Sequence, residues 1–154
     1  MKKISIIVLS ALLALLLTGC NQGEKNIEGD LKDIMSKMYS GIKEDNLPKL
    51  MNADVTKENL SSYLGVESLD YKEAIASEPM IGSIPHSVVL IRMNDNADIE
   101  KAKKEIQEKV NPRKWICVEV PKEDVRVLSK GNLILLIMVN ENRETIEKNF
   151  KDLK

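Results

Sequence analysis

The chain has 154 residues, 43% of them hydrophobic and 31% charged, with 23 basic side chains against 24 acidic ones. That balance excludes a basic nucleic-acid surface and a polybasic membrane patch, and the length suits one domain with one real core. Two cysteines, Cys20 and Cys117, and a single histidine, His86, exclude a disulfide framework and leave too few nitrogen and sulfur ligands for zinc; no metal or other cofactor is expected.

Residues 1–19 read as a signal peptide. Lys2 and Lys3 form its charged start, Ile4 to Leu17 is almost purely apolar, and Leu17-Thr18-Gly19-Cys20 closes it. The run falls short of the roughly 20 apolar residues that cross a bilayer. The Leu-small-Gly-Cys ending resembles the bacterial prolipoprotein signal, which implies cleavage between Gly19 and Cys20 and a diacylglyceryl lipid, with acyl chains such as palmitate, on Cys20. The expected site is therefore lipidation at Cys20, with the chain held at the extracytoplasmic face of the cell membrane. From Cys20 onward about 135 residues remain, about three charges negative. Residues 20–26 are polar and aperiodic, a tether, and 27–154 form a single α+β domain.

The first element is a helix whose apolar positions Ile27, Leu31, Ile34, Met35, Met38 and Ile42 recur in threes and fours. Leu47-Pro48 ends that run. A short second helix is expected from Thr56, as N-cap, to Gly65 beyond its C-terminus. Strands are expected at about 71–78, 87–93, 124–129 and 132–139, with helices at about 97–110 and 142–153. Ser129-Lys130-Gly131-Asn132 looks like a tight hairpin turn in which glycine supplies a positive φ.

Val88-Val89-Leu90-Ile91 and Ile134-Leu135-Leu136-Ile137 both lead through an Asn-rich turn into an Ile-Glu-Lys helix start, at an offset of 46 to 47 residues. This similarity predicts two ββα units forming a four-stranded, mainly antiparallel sheet in the order 1-2-4-3, preceded by the N-terminal helices. Leu133 to Val139 is apolar throughout and should be buried on both faces. Tyr71 to Ser77 carries Lys72 and Glu73 and suits an edge. The two C-terminal helices are placed on one face, the N-terminal helix on the other.

The chemistry-bearing residues are few. Cys117, in the apolar run Trp115 to Val118, reads as a buried small hydrophobe. His86, after Pro85, reads as a partly exposed turn residue, so His86→Ala should be tolerated; Ser87, its neighbour in a strand, points to the other face and cannot form a dyad with it. Asn94, Asn96, Asp98 and Glu105 imitate an EF-hand spacing, but Ile99 stands where glycine is required and helix follows, so the cluster reads as a helix cap. Lys101, Lys103, Lys104 and Lys109 alternate with glutamates at i,i+4 and read as a solvated helix face. No catalytic residue is assigned, and no phosphate-cradling glycine motif occurs among the seven glycines.

Leu47 to Met51, Ala53-Asp54, Leu60 to Val66, Glu78-Pro79-Met80 and Lys130-Gly131-Asn132 together resemble an uncharacterised family of Gram-positive lipoproteins, the DUF-4358 type, over about 34–153. The resemblance implies a lipid-anchored extracytoplasmic domain without an established activity and carries over no catalytic residue. Leu133 stands where that family commonly has an aromatic, and Ile84-Pro85-His86 replaces an acidic stretch. The expected function is a non-enzymatic binding or interaction module at the cell envelope, with an envelope protein or small ligand as partner. A small cell-envelope hydrolase, or an accessory solute-binding component of a transporter, is the alternative.

Overall fold

The computed structural model describes residues 25–154; the signal segment, Gly19 and Cys20 lie outside the described residues. Five antiparallel strands form one sheet: β1 (Leu50–Asp54), β2 (Tyr71–Pro79), β3 (His86–Met93), β4 (Arg126–Lys130) and β5 (Leu133–Val139), ordered β1-β2-β3-β5-β4. Helices α1 (Leu31–Met38), α2 (Leu60–Leu64), α3 (Ile99–Lys109) and α4 (Arg143–Lys151) cover both faces.

Strands β3 and β5 are buried at every position because each face of the sheet has its own core. One core joins Val89, Ile91, Ile134 and Leu136 to α2, α3, Trp115 and Val120. The other joins Val88, Leu90, Leu135 and Ile137 to α1 and α4. Alternation along a strand therefore reads as an unbroken apolar run, since both directions lead inward. The fold class is α+β, as expected, and the order of the four expected strands holds.

Three parts of the plan are corrected. A fifth strand, β1, pairs with β2 over Leu50 to Asp54, so Tyr71–Pro79 is internal and β1 is the edge. Helices α3 and α4 lie on opposite faces, α3 over the first core and α4 beside α1 on the second. The similar segments are direct antiparallel neighbours, Val88 facing Ile137 and Ile91 facing Ile134. A rotation that lays the first hairpin on the second leaves its helix on the wrong face, so the two ββα segments are not equivalent units.

Local chemistry sets the element ends. Asp30 caps α1, its carboxylate accepting from Lys32 N at 2.7 Å, so the helix starts later than the apolar stripe suggests and Ile27 is held instead by Asn132 Oδ1 at 3.0 Å. Thr56 is not the cap of α2. Asn59 turns the chain there, accepting from Thr56 N at 2.7 Å and donating to Asp54 O at 3.1 Å. Gly65 ends α2 at φ +72°, where a Cβ would collide with the Lys109 carbonyl at the end of α3. Asp98 caps α3 as expected, accepting from Lys101 N at 3.0 Å. On that helix the ion pair is Lys103 with Glu100, at i,i+3.

Gly131 makes the β4–β5 turn at φ +54°, packed so closely on the Lys25 carbonyl that a side chain would not fit. The described chain thus begins at the hairpin end of the sheet. Among the described residues no helix is long and apolar enough to cross a membrane.

Candidate functional site

The other end of the sheet, where β2 ends, β3 starts and β5 ends, gathers most of the buried polar side chains. His86 and Ser87 open β3 and, as the strand period requires, face opposite cores.

On the second-core side His86 is only 5% exposed, which overturns the expectation of a turn residue. Its Nε2 lies 3.0 Å from the Tyr39 hydroxyl and the two rings stack at 5.9 Å. Burial pushes the imidazole down to about 4, so it is neutral at pH 7. Burial also raises the Tyr39 phenol, helped by the charge of Glu78 and opposed by a hydrogen bond with Ser77. Removing the imidazole would leave a void and take one hydrogen-bond partner from the buried Tyr39 phenol, so His86→Ala is a destabilising change here.

On the first-core side Ser87 donates to Glu78 Oε1 at 2.5 Å, and Lys114 donates to the same oxygen at 2.8 Å and to Ser87 Oγ at 3.2 Å. The Lys114 ammonium also sits 4.8 Å from the Tyr63 ring centre and 5.7 Å from that of Trp115. Glu78 and the burial of its ring together raise the Tyr63 phenol, burial being the larger cause. Trp115 Nε1 is buried without an acceptor among the described residues. A serine beside a lysine suggests a nucleophile and its base, but Ser87 is fully buried and its proton is committed to Glu78.

A cavity of about 490 Å³ opens at His86, lined also by Leu47, Pro48, Ile84, Pro85, Asn140 and Glu141. Its size is that of a small-ligand site. Asn142, at φ +61°, donates to Asn46 O at 3.0 Å and closes one side.

Cys117 is exposed, in a loop at φ +60°, and not the buried strand residue that its apolar neighbours suggest. Among the described residues no group of three or more His, Cys, Asp or Glu side chains could hold a metal ion. Nothing in the sequence marks Lys114 or Tyr39 as site residues, and Glu78 stands out only within the motif Glu78-Pro79-Met80. They belong to the site only through contacts across 36 and 47 residues of chain.

No family model, curated protein or solved structure matches the chain.

Proposed function

We propose that this chain is a lipid-anchored extracytoplasmic lipoprotein, attached through Cys20, whose domain is a non-enzymatic binding module at the cell envelope. Its address rests on Leu17-Thr18-Gly19-Cys20. The observation that carries the non-enzymatic half is the state of the sheet end: His86 is buried and neutral, and Ser87, Glu78 and Lys114 are spent on one another. Hydrolytic acid–base work needs a group that reaches a substrate proton.

We also place the chain with the DUF-4358-type lipoproteins. The motifs that support this are structural: Leu60 to Gly65 is α2 with its glycine cap, and Lys130-Gly131-Asn132 is the hairpin turn. The departure at Ile84-Pro85-His86 falls on the wall of the cavity, and it favours a second reading in which that cavity takes a small solute.

Anchoring is tested by Triton X-114 partition. Two acyl chains hold a protein in a membrane far more firmly than one, so the wild type is expected in the detergent phase and Cys20→Ala is expected as an uncleaved, unacylated precursor. Wild-type protein in the aqueous phase would remove the anchor from the reading.

A further inference from the structure

Four large apolar side chains stay strongly exposed among the described residues, Met51, Met80, Ile81 and Ile116, at 52 to 70% exposure. All four lie at one corner of the fold. Met51 stands opposite Glu78 in the β1–β2 ladder, and Met80 N extends that pairing by donating to Lys49 O at 3.0 Å. Ile116 N donates to Gly82 O at 3.0 Å, which zips the 80–85 loop to the 112–118 loop. Single exposed apolar residues are ordinary; a gathering of this kind marks a contact surface.

Two observations indicate what covers it. Beneath the patch Lys114 is paired with Glu78 at 2.8 Å, so this pair brings no net charge against an identical surface. The described chain starts beside Gly131, at the opposite end of the sheet. From a lipid on Cys20 to Lys25 the chain reaches about 17 Å, whereas β5 alone runs about 23 Å from the hairpin toward the corner. The corner loops therefore cannot enter end-on the bilayer that holds the lipid. Copies anchored in one membrane present their corners at equal height.

We infer that this corner is a self-association surface, on which two copies dock Met51, Met80, Ile81 and Ile116 patch on patch about a twofold axis running along the strands. That axis alone leaves both chain starts on the same side, and in this respect the orientation rests on attachment through Cys20. The contact itself does not. Four side chains support a weak pair, strengthened by confinement to a surface.

The test uses residues 21–154, because residues 25–154 close both cores among themselves. Sedimentation equilibrium is expected to show a concentration-dependent dimer, weakened at least about tenfold in Ile81→Asp with Ile116→Ser at unchanged thermal stability. Cys117, exposed beside Ile116, reports the contact: a short bismaleimide should join wild-type copies and fail to join the double variant. A monomer at every concentration, a dimer indifferent to the two substitutions, or wild-type domain that floats with phosphatidylglycerol vesicles through these residues would overturn the inference. Loss of the lipid anchor in the partition assay would leave this result untouched.

Discussion

His86 and Ser87 are consecutive residues of β3 whose polar atoms are both buried, yet the two faces of the sheet solve that problem in different ways. Toward α1 the imidazole is kept neutral by desolvation and needs only the Tyr39 phenol. Toward α3 a full charge is retained, and Glu78, Lys114 and Ser87 satisfy one another around it. A neutralised group makes the fold sensitive to pH, whereas a paired charge makes it sensitive to loss of a partner. Each face should therefore break under a different perturbation.

The largest effect falls on the layer the two faces share. Leu136 is buried in the first core and Ile137 in the second, both fully. Leu136→Asp and Ile137→Asp are each expected to cost several kcal/mol, by burying an unpaired charge, and to abolish a cooperative melt. If one of them melted near the wild-type temperature, the face it points to would be no true core.

Next comes the charged side. Lys114→Met leaves the Glu78 carboxylate at 16% exposure without its cation, at a cost of about 2 to 3 kcal/mol in urea unfolding, the partial exposure keeping it at the lower end for such pairs. Adding Glu78→Gln should restore most of it, because the amide oxygen still accepts from Ser87. Additive losses in the double variant would show that Lys114 acts through its stacking on Tyr63 and Trp115 instead.

The contrast also separates what is legible in sequence from what is not. Strand β5 can be read because every position is apolar and β3 from its run Val88 to Ile91, and the Gly131 and Gly65 turns because only glycine sits easily at their φ. Strand β1 escapes notice since Leu-Met-Asn-Ala-Asp is half exposed and becomes a strand only by pairing with a long β2. The apolar run at Trp115 imitates a strand, although Cys117 turns the chain at φ +60° and Ile116 faces solvent. The site is less legible still. Tyr39 lies 47 residues from His86 and Lys114 lies 36 from Glu78, so neither partnership leaves a local pattern.

The smallest effect is the most selective for the neutral side. An imidazole held at about 4 in the fold titrates near 6.5 in the unfolded chain, so the unfolded state binds the extra proton between those values. Its contribution is complete above pH 6.5 and is lost as pH falls through 4. Between pH 7 and pH 5 the loss is about 2 kcal/mol. His86→Phe keeps the ring and removes the titration, so its urea stability should fall less steeply over this range, while carboxylates elsewhere contribute equally to both proteins. The difference between the two pH profiles isolates the imidazole. Parallel profiles would mean that His86 accepts its proton without leaving the fold, and that the second face, like the first, carries a charge when it must.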